Sequence, residues 1–144
     1  MRIIILASAP RSLINFRGPL LQRLVDLGHD VTAMAPEIET DDTGGELRQL
    51  GVRAADLPLQ RTGLNPLSDL VTMAALALAF VRRKPDLVFA YTAKPVIYGL
   101  VAASIAGVPR RTAMITGLGF AFGDRSGWIG GLTRGLYRLA LRRA

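Results

Sequence analysis

The chain has no cysteine and a single histidine, His29. Disulfides and thiolate metal sites are therefore excluded, and so is any metal site built on several imidazoles. A reducing compartment is compatible with this composition. Lysine is scarce as well: Lys84 and Lys94 stand alone, and the other sixteen basic residues are arginines. Arginine suits bidentate recognition of phosphate, although the many Ala, Leu and Gly residues fit a plain base-composition bias equally well. The longest apolar run, residues 70–81, is broken only by Thr72, and it falls short of the roughly 20 residues a membrane-spanning helix needs. The apolar start is too short for a secretory signal, and polar residues follow it at once. Neither a Gly-x-Gly-x-x-Gly fingerprint nor a Walker A pattern is present, which argues against a dinucleotide site. No repeat, linker or low-complexity tract breaks the chain.

What remains is 144 residues, 50% hydrophobic. That is enough for one domain with a core and too apolar for disorder. The net charge of +7 is unevenly placed. Residues 1–109 hold eleven basic against ten acidic side chains, and residues 110–144 hold seven arginines against Asp124 alone.

The first 35 residues set the fold. Residues 2–7 are a β-branched apolar run without polar alternation, as in a central strand covered on both faces. A polar loop is expected over 8–17, with Pro10 and Asn15 as breakers, then a helix over 18–27 ending at Gly28, then a strand over 30–35. Strand, loop, helix and strand in this order form a right-handed βαβ unit. His29 falls at the helix end, on the opposite edge of the sheet from the first loop, and reads as a helix-terminal residue. The pattern then repeats. Acidic residues over 37–42 form a solvated loop, and a short helix over 45–50 leads to a strand over 52–57. A helix starts behind Asn65 as N-cap and Pro66 as N1 and runs to about Arg83. Its middle is apolar on all sides, which fits burial or contact with a greasy surface; burial is the simpler expectation. Strands over 87–91 and 111–115 flank a helix over 96–106, and a last helix covers 132–143. This alternation predicts one doubly wound α/β parallel sheet of about five strands.

In such sheets ligands bind beyond the carboxyl ends of the strands. Three loops meet there. The first offers Ser8, Arg11, Ser12, Asn15 and Arg17, the second Thr92 and Lys94, and the third Thr116 with the backbone of Gly117, Leu118 and Gly119. Together they make a polar, mildly cationic cleft for a hydroxyl-rich or phosphorylated ligand. The plain alternative is that the arginines are solvated charges and Asn15 a helix cap. No catalytic constellation stands out, and no metal site is expected. In the tail, Arg134, Arg138 and Arg142 fall on one helix face near Trp128. A basic stripe beside aromatics marks a helix lying on anionic lipid, or else an ordinary exposed face.

The ordered set of residues 2–7, Asn15-Phe16-Arg17-Gly18-Pro19-Leu20, Leu24 to Val31 with its Gly-His-Asp-Val end, Leu64-Asn65-Pro66, Lys84-Pro85-Asp86-Leu87-Val88, Ala93-Lys94-Pro95 and Thr116-Gly117-Leu118-Gly119 resembles the N-terminal half of a family-4 type glycosyltransferase with the GT-B fold. The likeness is closest to bacterial enzymes that build lipid-linked glycans, surface polysaccharide or lipopolysaccharide. It implies a Rossmann-like domain over 1–144 that binds the acceptor, with the donor-binding domain absent. It further implies a retaining transfer of a hexose or N-acetylhexosamine from a nucleotide-sugar, without metal or cofactor. The substrate-binding residues carried over are Pro10, Arg11, Asn15, Phe16, Arg17, Lys94, Thr116, Gly117, Leu118 and Gly119. Relatives place a His or Glu where Thr116 stands, and threonine is no general base at neutral pH, so no catalytic residue is assigned. Pro10 and Arg11 replace the glycines that relatives set beside the donor phosphates.

The expected partners are a nucleotide-sugar, a lipid-linked or glycan acceptor, an anionic membrane surface and the missing C-terminal domain; nucleic acid is not expected. The expected place is cytoplasmic, peripheral at the inner face of the cell membrane, with Trp128, Arg134, Arg138 and Arg142 facing lipid. The isolated chain is expected to be inactive. A competing reading is a non-catalytic subunit that anchors or activates a separate donor-binding chain, and a third is a nucleotide-binding regulatory domain.

Overall fold

The run Arg2–Leu6 forms β1, with every residue after Arg2 buried. It lies at the centre of a computed structural model that describes residues 1–40, 42–57, 59, 66–116, 135, 137, 138 and 140–142. The other strands are β2 (Asp30–Ala35), β3 (Arg53–Asp56), β4 (Leu87–Tyr91) and β5 (Arg110–Met114). All pair in parallel, in the order β3-β2-β1-β4-β5. Pairs such as Ile4 with Thr32 and with Val88 fix the register at the centre.

Side-chain alternation along β1 divides the core in two. Ile3 and Ile5 pack with Leu13 and Leu21 of α1 (Pro10–Asp26) and Leu47 of α2 (Asp42–Gln49). Ile4 and Leu6 pack on the other face with Leu76 and Phe80 of α3 (Pro66–Arg83) and Leu100 and Ala103 of α4 (Leu100–Ile105). Ala140 joins this second cluster, with Tyr137 packed against it, so the C-terminal helical residues lie on the same face. The sheet is thus doubly wound, as the alternation predicts.

Several expectations need correction. The first loop is much shorter than 8–17, because α1 already begins at Pro10. Proline at the first helical position sacrifices only an N–H that has no intrahelical partner there, so Pro10 starts the helix rather than breaking it. Pro19 sits inside α1, where its missing N–H releases the carbonyl of Asn15, a residue on the exposed side. Arg11, Ser12, Asn15, Phe16 and Arg17 are therefore helical residues. The second helix likewise starts earlier, at Asp42, and takes in Gly44. A Cβ at Gly44 would lie 2.6 Å from the Ile38 carbonyl oxygen, so glycine there serves a close backbone approach.

The burial expected of α3 holds on one side only. Leu76 and Phe80 are buried, whereas Leu70, Val71, Leu78 and Val81 are 58%, 64%, 49% and 54% exposed. With the exposed Ala74, these positions fall within a stripe about 100° wide. Arg82, Arg83 and Lys84, all exposed, close its C-terminal end. Among the described residues no helix is long and apolar enough to cross a membrane.

The helix expected over 96–106 opens as a π-helical turn, Pro95–Gly99, that runs into α4. At Gly99 a Cβ would overlap Cδ1 of Leu6, and the segment lies flush on the sheet for lack of one. Asn65, Gly117, Leu118, Gly119, Trp128 and Arg134 lie outside the described residues.

Candidate functional site

Strand order reverses between β1 and β4: the chain goes outward from β1 through β2 to β3, then crosses back to β4 on the other side. The carboxyl ends of β1 and β4 therefore part at a topological switch point. A cavity of about 430 Å³ opens there. Ser12, Phe16 and Arg17 reach it from α1, Tyr91 and Thr92 from the end of β4, and Met114 and Thr116 from the end of β5.

Tyr91, the last residue of β4, is 2% exposed. Its hydroxyl lies 2.9 Å from Ser12 Oγ. Ser12 Oγ also lies 2.6 Å from the Ala9 carbonyl, to which it can donate. Burial pushes the Tyr91 phenol above its ordinary pKa, and the Ser12 bond and the Arg17 charge offset this only in part. The ring stays neutral and carries the Arg17 guanidinium 5.0 Å from its centroid, a cation–π contact.

Arg17 is held further by Nη1 donating to the Phe16 carbonyl at 3.0 Å and Nη2 to the Met114 thioether at 2.9 Å. Its Nε is buried without a hydrogen-bond partner, and so is Thr92 Oγ1. A buried, unsatisfied polar atom costs roughly 1–3 kcal/mol. Thr92 also sits at φ 69°, a left-handed conformation that a β-branched residue rarely takes. Strained backbone and orphaned polar atoms gather at sites that bind something. Phe16, 70% exposed, offers an aromatic wall.

The other residues named from sequence divide. Phe16, Arg17 and Thr116 come together at the cavity with Ser12 and Thr92. Arg11 does not line it; it pairs with Glu46 of α2. Asn15 is exposed and also outside the lining, while Pro10 is buried as the helix start. Lys94 is 8% exposed. It faces α3, with Nζ 3.6 Å from Asp69 Oδ1, and Asp69 accepts a hydrogen bond from Tyr98 at 2.7 Å. This buried trio clamps α3 to the π-helical turn and pushes the Tyr98 phenol upward through burial and the Asp69 carboxylate. Of the expected lipid-facing residues, Arg138 and Arg142 are exposed, one turn apart, with Arg142 N donating to the Arg138 carbonyl at 3.1 Å. Reasoning from sequence missed Tyr91 and Met114. The signal for both was position, since the last residue of a parallel strand faces the carboxyl edge.

The lining can bind and orient a ligand with hydroxyls, one guanidinium and aromatic faces. Among the described lining residues no group is a general base at neutral pH.

The family model described as glycosyl transferase 4-like domain matches residues 17–144. The chain is similar to the N,N'-diacetylbacillosaminyl-diphospho-undecaprenol alpha-1,3-N-acetylgalactosaminyltransferase of Campylobacter jejuni, with 30% identity over 146 residues, 99% of this chain and 38% of that protein. It therefore spans well under half the length of that relative. Among solved structures it superposes on Acinetobacter baumannii MurG with a TM-score of 0.61 and 15% identity, over 94% of this chain and 39% of the other. It also superposes on the UDP-GlcNAc 2-epimerase of Neisseria meningitidis, with a TM-score of 0.63 and 17% identity, over 97% of this chain and 38% of that one. At such identities the structural likeness speaks for the fold alone.

Proposed function

The chain belongs to the glycosyl transferase 4-like domain family, and from that premise we propose that it is the acceptor-binding half of a retaining glycosyltransferase. Its acceptor is a lipid-linked or surface-polysaccharide precursor. The sugar, a hexose or N-acetylhexosamine, comes from a nucleotide-sugar held by a second, donor-binding domain, and no metal or cofactor takes part. The cavity at the switch point is the observation that carries this reading. It sets Arg17 Nε and Thr92 Oγ1, both without partners, beside hydroxyls and an exposed aromatic ring, a mixture suited to a sugar and its phosphates. The activity named for the Campylobacter relative, on a diphospho-undecaprenol-linked sugar, supports an acceptor of this kind. Division of labour follows from the chemistry. The cavity holds and aligns the acceptor, and the donor half supplies the leaving group.

The test is uptake of a polyprenyl-diphosphate-linked sugar, presented in detergent micelles, by the 144-residue chain. Saturable uptake that weakens roughly ten- to hundredfold in Arg17→Ala is expected, the range set by losing a hydrogen bond to a charged group. Uptake indifferent to both the sugar and Arg17 overturns the proposal.

The partner surface in this reading is anionic lipid at the inner face of the cell membrane. The apolar stripe of α3, ending in Arg82, Arg83 and Lys84, supports it with the pairing of greasy face and basic rim that such surfaces attract. Exposed Arg138 and Arg142 add charge. Binding to anionic vesicles, weakened by salt and by Leu78→Glu, is the expected result. The same stripe favours a second reading, a non-catalytic subunit that anchors a separate donor-binding chain. Sugar transfer on mixing with a donor-binding half, sensitive to Arg17→Ala, decides for the first.

A further inference from the structure

Arg17 has a free edge. Its Nη1 is committed to the Phe16 carbonyl at 3.0 Å. On the side-on edge of the guanidinium, Nε has no partner and Nη2 meets only the Met114 thioether, at 2.9 Å. Sulfur in a thioether is a weak acceptor, and Met114 is 42% exposed, so this side chain can swing aside toward solvent. The edge it uncovers carries two parallel N–H groups, the fork that matches an oxyanion bidentately. Thr92 lines the same cavity, and its buried Oγ1, also without a partner, can donate a third hydrogen bond.

The fork is stiffly mounted. The guanidinium lies over the Tyr91 ring, Tyr91 is fixed by Ser12, and Ser12 by the Ala9 carbonyl. No carboxylate lies among the described residues that line the cavity, so none of these competes with an incoming anion. We propose that Arg17 and Thr92 seat a phosphoryl oxyanion of a diphosphate ligand, Arg17 through its Nε and Nη2 and Thr92 through its hydroxyl. This rests on the acceptor-binding reading above for the source of the diphosphate, the lipid-linked acceptor; a nucleotide diphosphate carries the same chemistry.

The experiment is an NMR titration of the 144-residue chain with inorganic pyrophosphate, farnesyl diphosphate, uridine diphosphate and, as a neutral control, N-acetylglucosamine. The reporter is the Arg17 Nε–H resonance. Pyrophosphate is expected to shift that resonance and to bind at least about tenfold more weakly to Arg17→Lys, which keeps the charge but loses the fork. Thr92→Val, nearly isosteric, is expected to weaken binding less, about three- to tenfold, as for one neutral donor. Circular dichroism confirms that both variants fold. Farnesyl diphosphate binding more tightly than uridine diphosphate upholds the seat and the acceptor assignment together. The reverse order upholds the seat and overturns the acceptor assignment. Pyrophosphate bound equally by Arg17→Lys, or without moving the Nε–H resonance, overturns the seat. Binding of N-acetylglucosamine without pyrophosphate overturns the seat and leaves the acceptor reading standing, and binding of none of the four overturns both.

Discussion

The two ends of the sheet enclose cavities of nearly equal size, about 400 Å³ at the amino ends of the strands and about 430 Å³ at the carboxyl ends. Their polar groups are treated in opposite ways. At the amino end the Arg2 backbone N–H donates to Asp86 at 2.6 Å, the Asp86 N–H returns a bond to the Arg2 carbonyl at 2.8 Å, and Arg53 pairs with Asp30 at 2.8 Å. Three helices entering that end, α1, α2 and α4, stop on Gly28, Gly51 and Gly107 at positive φ, where glycine bears no strain, and α3 stops on the exposed Lys84 at φ 46°. At the carboxyl end the β-branched Thr92 takes a positive φ, and what sets this end apart is that an arginine and a threonine keep buried polar atoms unpartnered. Equal volume with unequal satisfaction separates the end that holds the fold together from the end proposed to receive a ligand. The fold contributes the cavity in both cases; the unsatisfied chemistry is what marks one of them as the candidate site.

The largest effect is expected just behind the receiving end. Gly99→Ala forces a methyl into Leu6, which is fully buried, and should lower unfolding free energy by roughly 1–3 kcal/mol. Denaturant midpoints measure this, and Gly99→Ala combined with Leu6→Val should recover much of it. A recovery of nothing would mean that the π-helical turn, and not the Leu6 contact, sets the cost.

Thr92→Gly sharpens the comparison by removing both the strain and the unpartnered hydroxyl from the carboxyl end. Relief of the positive φ should raise stability by about 1 kcal/mol while diphosphate binding falls. Stability and affinity moving in the same direction would break the link between strain and use.

Asp86→Ala tests the holding end. It removes the acceptor of the Arg2 N–H and should cost about 0.5–1 kcal/mol, with ligand binding unchanged, because that pair is partly solvated. A drop in binding would show that the two ends are not separable.

The smallest effect is in pH. The buried Tyr98 phenol is pushed above its ordinary value of 10.0 by burial and by Asp69. The unfolded chain then loses this proton first, so stability should be full below pH of about 10 and decline as pH rises above it. Tyr98→Phe should flatten the decline, as read from melting temperatures across that range.

How much of this was legible beforehand varied with the signal. β1, β2 and β4 stand where their apolar runs placed them, because a parallel strand covered on both faces leaves an unbroken apolar record. The central position of β1 followed from the same record. The start of α1 did not, since Pro10, Ser12 and Asn15 are loop formers by composition, and only the rule that proline opens helices could have put them inside one. Burial of α3 was misjudged for a related reason: an all-apolar helix carries no polar face to say which side is wet. At the site, Arg17 and Thr116 were in view because the topology points loops and helix starts at one edge, and Phe16 came into view only through the family resemblance. Tyr91 was not, being indistinguishable in sequence from any strand aromatic. The pairing of Lys94 with Asp69 is a contact across 25 residues that no local pattern announces.

The outermost strands carry a consequence of their own. β3 and β5 are four and five residues long, and their half-exposed patterns place Arg53, Asp56 and Arg110 in solvent. A short edge studded with charge is a poor template for another chain's backbone, since pairing there would strip water from ions for few hydrogen bonds gained. The sheet thus guards against stacking edge to edge into aggregates, which matters for a domain that also exposes an oily stripe along α3. The protection lies in the strands, and the oily stripe of α3 stands outside it.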